Sequence, residues 1–191
     1  MTEQRLRVIE AMKRRDRERF LPEHARRSAG ANHPVSIGHG QTNSQPSTVA
    51  DMMVLLDVHP GHRVLDVGSG SGWTSAILGD LVGREGSVTA TELVPELADQ
   101  ARTVLQEEEL PWVSLYNADP DQLGWPGNSP YDRILVSAMP SRLPRTLVDQ
   151  LGHGGIMVIP VSGRMLKVVR DTNEPRITEH GLYRFVPLIG S

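Results

Sequence analysis

Read from the amino terminus, the chain first shows apolar residues at helical spacing. Leu6, Ile9 and Met12 recur among charged neighbours, which predicts a helix over residues 3–20, with Pro22 just beyond it. Residues 28–46 lose that rhythm. The run is rich in Gly, Ser, Asn and Pro and predicts a long loop of the kind that carries function. Val49, Met52, Met53 and Leu56 then restore the i, i+3, i+4, i+7 spacing and predict a helix over 47–57.

From Arg63 onward, short apolar runs alternate with helical stretches. Strands are predicted at 63–68, 87–92, 112–117, 131–137 and 155–161. Between them lie a helix from Gly72 to about Leu81, a helix opened by Pro95, and a helix near 144–151. Strand followed by helix, repeated, implies a parallel sheet with helices on both faces. Two further runs, 165–170 and 182–189, have no helix between them and are expected as antiparallel strands at one edge. The expected architecture is a Rossmann-like doubly wound α/β sheet, mostly parallel, with an N-terminal helical extension. Residues 1–191 are expected to form one domain, in which 1–57 supply helices and the long loop and 58–191 the ligand-binding core.

Composition narrows the function. At 38% hydrophobic and 23% charged residues over 191 positions, the chain is globular rather than disordered. A net charge of -3 gives no overall pull toward nucleic acid or anionic membrane. No apolar run approaches the length of a membrane span, and the charged first helix does not read as a secretory signal, so a cytoplasmic protein is expected. The absence of cysteine excludes disulfides, thiolate zinc sites and a cysteine nucleophile, and no metal site is expected. Lys13, Arg14, Arg15, Arg17 and Arg19, interleaved with Asp16 and Glu18, read as a solvated helix face.

The most informative stretch is Val64-Leu65-Asp66-Val67-Gly68-Ser69-Gly70-Ser71-Gly72-Trp73, a buried strand running into a glycine turn that opens a helix. Ligands of such folds sit at the carboxyl ends of the strands. A pyrophosphate-binding fingerprint would place its third glycine at position 73, which is a bulky Trp, and no Lys-Ser/Thr pair makes a phosphate loop. A phosphate-free nucleoside, S-adenosylmethionine, suits the pattern. Asp66 can then face its ammonium end, Glu92 at the end of the next strand its ribose, and Asp119 its adenine amino group. Plainer roles stay open: a tight turn for the glycines, loop-holding for Asp66, a surface position for Glu92, and Asp121 in place of Asp119.

Motifs along nearly the whole chain resemble one family. They are RVIEAM and RERFLPEHAR within 7–26, VSIGHGQTNSQPSTVADMM (35–53), RVLDVGSGSGW (63–73), LGWP (123–126) before YDRILVSA (131–138), and RFVPLIG (184–190). Together they resemble the protein-L-isoaspartate O-methyltransferases, which recognise isoaspartyl residues in aged proteins. The resemblance implies methyl transfer from S-adenosyl-L-methionine to the carboxylate of an isoaspartyl residue, as protein repair. It implies Thr42 and Ser44 at the methyl-acceptor site, and backbone at Val186, Pro187 and Leu188 against the substrate peptide. It implies Asp66, Gly68, Ser69, Gly70, Gly72, Glu92, Leu93 and Asp119 around the cofactor. The expected partner is a protein or peptide bearing isoaspartyl or aspartyl residues, with no nucleic acid or membrane, and the expected state is a monomer.

The residue types agree with that chemistry. A carboxylate, with a reference pKa of about 4, is ionised at neutral pH and needs no general base. Hydroxyls at Thr42 and Ser44 can orient it, while His33 and His39 in the same loop are loop structure or contacts. Ser44, just ahead of Pro46 and a helix, is also a candidate cap or turn residue. Trp73 suits either stacking or the core. Departures from the family pattern are Asn43, Gln45 and Ser47 in the loop, and Ala118-Asp119-Pro120 near the adenine position. They keep a second acceptor in view, an aspartyl residue of one dedicated peptide. Methylation of a nucleic-acid base is disfavoured, because Ser137-Ala138-Met139-Pro140 stands where such enzymes carry an Asn/Asp-Pro-Pro-aromatic motif.

Overall fold

The computed structural model describes residues 2–189. Helix α1 spans Glu3–Arg14, with the Thr2 hydroxyl accepting from the Arg5 amide. It ends six residues short of the expected boundary. Arg15 leaves helical geometry (φ -99°, ψ 77°), and Asp16 caps a separate 3₁₀ turn, Arg17–Phe20, by accepting from the Glu18 amide. The charged run is therefore not one solvated face. Arg15 turns onto Asp80 (2.6 Å) and Glu108 (2.7 Å), Arg19 reaches Glu108 (2.7 Å), and Arg17 is buried. A second 3₁₀ segment, Glu23–Ser28, follows.

The expected loop holds a small hairpin, β1 (Val35–Gly38) and β2 (Gln41–Asn43), turned through His39 and Gly40, both at positive φ. Val35 and Ile37 alternate with exposed Ser36 and Gly38, the two-residue period of a half-buried strand. Helix α2, Pro46–Leu56, starts with proline, which needs no amide there, and ends where Asp57 turns left-handed.

The main sheet comprises β3 (Arg63–Val67), β4 (Ser87–Glu92), β5 (Val113–Asn117), β6 (Tyr131–Val136), β7 (Leu151–Val161), β8 (Arg164–Val169) and β9 (Arg176–Leu182). Its order is β5-β4-β3-β6-β7-β8-β9, with β3 to β7 parallel and the last two antiparallel. The connecting helices are α3 (Trp73–Val82), α4 (Pro95–Glu107) and a single turn, α5 (Arg145–Val148), where a longer helix was expected. From β3 the chain steps outward to β4 and β5, then crosses back to β6 on the other side. The strand order thus reverses between β3 and β6, and a crevice opens above their carboxyl ends.

The last strand also differs from expectation. The polar run 176–182 forms β9, an edge strand pairing with β8, and most of its side chains are exposed. The apolar run 183–189 forms no sheet strand. It passes over the crevice, where the Met139 amide donates to the Val186 carbonyl (2.8 Å) and the Leu188 amide to the Met139 carbonyl (3.0 Å).

Two cores flank the sheet. Val64, Val88, Leu135 and Val158 pack under α1 to α4, with Val8, Met53, Ile77 and Ala101 among the buried helix residues. Leu65, Val67, Ile134 and Met157 face the other way, against Leu147, Leu151, Leu123 and Trp125, so a short helix and the 118–130 segment cover that side. Each fully buried aliphatic side chain contributes roughly 1.5–3 kcal/mol. Among the described residues no helix is long and apolar enough to cross a membrane.

Glu108, with a side chain 1% exposed, ties the start of the chain to the end of α4 through Arg15 and Arg19. Glu108→Ala leaves Arg15 half-buried with Asp80 as its remaining acidic partner. It should lose about 2–4 kcal/mol of unfolding free energy. Urea denaturation checks this, and a loss below about 1 kcal/mol would remove Glu108 from the anchoring role.

Candidate active site

The glycine turn begins where β3 ends. The amides of Gly68 and Ser69 both donate to the Thr91 carbonyl of β4 (2.9 and 3.1 Å), and Gly72 donates back to Ser69 (2.9 Å). Glu92 props the turn from below. One of its oxygens accepts from the Gly70 amide (2.8 Å) and the other from the Val94 amide (2.9 Å). Gly70 has φ +54°, and a Cβ there would stand 3.2 Å from Ile37 Cδ1 of the hairpin. Gly72 has φ +85°, and its Cβ would stand 3.2 Å from Ala101 Cβ of α4. Backbone conformation disfavours side chains at both places, and a tight contact adds to it.

Asp66 lies one layer deeper. It occupies the helix-facing side of β3, fully buried, and accepts from the Thr74 and Ser75 hydroxyls of α3 (both 2.7 Å) through one oxygen. Its other oxygen has no hydrogen-bond partner. Burial pushes this carboxyl up to about 6, the two hydroxyls oppose the shift, and the Glu92 charge adds to it. Asp66 does not line the cavity above the turn; it holds the start of α3 to the strand. Gly72 is likewise off the wall.

That wall gathers the other expected residues. Thr42, Ser44, Gly68, Ser69, Gly70, Glu92, Leu93, Asp119, Val186, Pro187 and Leu188 all line one cavity. They come from the hairpin, the ends of β3, β4 and β5, and the C-terminal run. Gly190, the end of the RFVPLIG stretch, lies outside the described residues. Thr42, Asn43 and Ser44 all line the cavity; Thr42 is exposed there, and Asn43 is buried. There Asn43 donates to the Ser71 hydroxyl of the glycine turn (3.1 Å) and accepts from the Arg17 guanidinium (2.7 Å). Gln45, not Ser44, takes the cap position of α2, and no side chain caps that helix. Thr42 and Ser44 also line an adjoining groove with Ser47, Asp51 and Tyr183–Val186.

Asp119 reaches the wall, its carboxylate accepting from the Asp121 amide (2.9 Å), while Asp121 is off the wall. His33 and His39 are exposed and do not line the cavity. Trp73 is buried in the core, its indole donates to the Arg15 carbonyl (2.8 Å), and the residue also borders the cavity. Residues not anticipated include Ser71, Ser137, Ala138, Gln122 and Gly124. Ser137 and Ala138 directly follow β6, so the strand order alone brings them to the crevice. Asn43 carried a signal in its departure from the family pattern, and Arg17 in its place three residues before buried Phe20.

What this cavity can hold follows from its donors and acceptors. Among its described residues there is no Lys, Arg or His, so it offers no cation for a phosphate. Glu92 and Asp119 keep free acceptor lone pairs for hydroxyl or amino groups. The buried Ser69 hydroxyl has no partner. A phosphate-free nucleoside fits that set. Among the described residues no group of His, Cys, Asp and Glu could hold a metal.

The chain matches the family model for protein-L-isoaspartate(D-aspartate) O-methyltransferase over residues 2–191. A protein-L-isoaspartate O-methyltransferase of Methanosarcina mazei is 41% identical over 187 residues, covering 96% of this chain and 76% of the relative. One from Methanopyrus kandleri is 44% identical over 190 residues, covering 96% and 84%. Among solved structures, a putative protein-L-isoaspartate O-methyltransferase from Plasmodium falciparum in complex with S-adenosyl-L-homocysteine superposes with a TM-score of 0.85. It is 23% identical and covers 97% of this chain and 91% of that one, a likeness of fold.

The buried Asp66 carboxyl makes a pH prediction. Its folded pKa, about 6, lies above the ordinary aspartate value of 3.8, so the folded state keeps a proton that the unfolded chain releases. Its stabilising contribution is full below about pH 4 and is lost as pH rises through about 6, a difference of up to about 3 kcal/mol. Asp66→Asn keeps an oxygen for Thr74 and Ser75 without the charge. The stability of Asp66→Asn relative to the unsubstituted protein should therefore be greater at pH 7.5 than at pH 4.5, by about 2 kcal/mol. Denaturation at both pH values tests this, and a gap that does not move contradicts it.

Proposed function

The chain belongs to the protein-L-isoaspartate(D-aspartate) O-methyltransferase family, and from that membership we propose that it methylates the free carboxylate of L-isoaspartyl residues in damaged proteins, as a step of protein repair. The observation that carries this reading is the shared wall. The glycine turn, Glu92 and the Thr42–Ser44 pair, distant in sequence, bound one cavity.

S-adenosyl-L-methionine, when bound, supplies an electrophilic methyl group on a positively charged sulfur. The residues that hold it are Gly68, Ser69 and Gly70, with Glu92 and Leu93 for the ribose and Asp119 for the adenine. Asp66 and Gly72 serve from behind, the first by holding α3 to β3 and the second by letting α4 close against the turn. Thr42 and Ser44 donate hydrogen bonds to the acceptor carboxylate and aim one of its oxygens. No base is required, because that carboxylate is already ionised at neutral pH. The rate enhancement comes from alignment and from keeping water off the acceptor. Ala138, Val186 and Leu188 give the cavity apolar walls for that purpose. Backbone at Val186, Pro187 and Leu188 holds the peptide, since this run crosses the crevice and borders the groove beside Thr42 and Ser44. The proposed state is a monomer. Residues 1–57 and 58–191 act as one catalytic unit, in the cytoplasm.

Purified protein with labelled S-adenosylmethionine should methylate an isoaspartyl peptide and leave the matched aspartyl peptide unmodified. Cofactor binding without isoaspartyl methylation, or methylation of the aspartyl peptide instead, would contradict the reading. Ser44→Ala should lower kcat/KM by about 10- to 100-fold, the worth of one hydrogen bond to a charged group, while S-adenosylhomocysteine affinity stays within about threefold. Unchanged turnover would remove Ser44 from the acceptor site.

A further inference from the structure

Arg17 is 4% exposed. Its Nε donates to Asn43 Oδ1 (2.7 Å), one terminal nitrogen to the carbonyls of Ala29 and Ala31 (3.3 and 2.9 Å), and the other to those of His33, Asn43 and Ser44 (2.9, 3.2 and 3.0 Å). Every one of these acceptors is neutral. Its guanidinium also lies over the Trp73 ring, 5.5 Å from the centroid. Among the described residues no carboxylate pairs with it, and burial alone pulls its pKa down. A guanidinium does not shed its proton in a protein, so a full positive charge stays behind the Thr42–Ser44 segment. Buried charges are ordinarily paired, because desolvation is expensive. An exception calls for a reason.

The cavity supplies one. Its described wall carries the acidic Glu92 and Asp119 and no basic side chain. The adjoining groove adds exposed Arg184, offset by Asp51. Such a wall by itself repels an anionic guest, yet the acceptor read above is a carboxylate. The nearest buried cation is Arg17, hydrogen-bonded to the backbone of Ser44. Its charge acts through a partly desolvated layer where screening is weak. The same side chain fixes the loop mechanically. Arg17 holds Asn43, and Asn43 holds Ser71 of the glycine turn, so one buried chain of hydrogen bonds sets the acceptor segment against the cofactor turn.

We propose that Arg17 is a positioning residue that fixes the Thr42–Ser44 segment and supplies the positive potential by which the cavity accepts a carboxylate. The inference rests on the reading of that segment as the acceptor site.

The test compares two blocked peptides, uncharged elsewhere, one with the isoaspartyl carboxylate and one with the corresponding carboxamide. Binding is measured with S-adenosylhomocysteine bound, so that no sulfonium charge contributes. The unsubstituted enzyme should prefer the carboxylate by about tenfold or more, the scale of one charge interaction at this range. Arg17→Lys, which keeps the charge, should retain that preference within about threefold but lose at least about tenfold in kcat, because an ammonium cannot span the same acceptors. Arg17→Gln should lose the preference while binding S-adenosylhomocysteine normally. A purely structural role would weaken both peptides alike, and that result, or an unchanged preference in Arg17→Gln, overturns the proposal. Raising salt to about 0.5 M in the unsubstituted enzyme gives a check that no misfolded variant can spoil. A preference from the buried charge persists, and one that collapses comes from exposed groups and also overturns the proposal. An enzyme that binds S-adenosylhomocysteine but neither peptide would overturn the acceptor reading and this inference with it.

Discussion

Ile37 of the hairpin comes within 3.2 Å of where a Cβ on Gly70 would stand, so a side chain at position 70 would crowd the contact between hairpin and glycine turn. The Asn43–Ser71 hydrogen bond reinforces the same contact. This seating makes one cavity out of two sequence-distant segments. The turn is fixed from below by the Thr91 carbonyl and Glu92, and the hairpin from behind by Arg17. A methyl donor and its acceptor must meet at close range with little freedom. The fold meets that demand by backbone contact and buried hydrogen bonds.

Among the described residues four charged side chains are buried, and beside Glu92 of the cavity wall the other three bear the energetic cost differently. Glu108 is paired and serves attachment of the N-terminal segment. Asp66 is half-satisfied, with one oxygen bound and one orphaned, and is held at the end of β3 in spite of the penalty of burial. Arg17 is satisfied in hydrogen bonds but not in charge. A sequence chosen for stability alone would replace such groups with apolar ones. Asp66 and Arg17, which adjoin the glycine turn and the Thr42–Ser44 segment, mark where the molecule gives up stability for a site.

Much of this was legible in the sequence. The run SVTATE gave β4 its observed bounds, and the parallel core followed from the alternation of strand and helix. The glycine turn was placed correctly because strand, glycines and helix are contiguous there. The misses share a cause: local pattern cannot see tertiary demand. The helix expected to residue 20 breaks after Arg14 because Arg15 and Arg17 leave the helix face, one for an acidic network and one for the interior. Polar β9 is an edge strand whose side chains face solvent, so no apolar period announces it. Residues 183–189 are apolar because Tyr183 and Phe185 pack on one core and Leu188 on the other as the chain crosses the crevice, not because they form a strand. Asp66 read as a ligand contact from its motif, yet its position on the helix-facing side of β3 directs it to α3.

The central claim is that one cavity holds the nucleoside on the glycine turn and the carboxylate on the hairpin at the same time. A crystal structure with S-adenosylhomocysteine and an isoaspartyl peptide tests it most directly. The ribose hydroxyls are expected on Glu92, the sulfur above Gly68–Gly70, and the free carboxylate within hydrogen-bond reach of the Thr42 and Ser44 hydroxyls. A nucleoside bound elsewhere, or a carboxylate seated away from that pair, would contradict it.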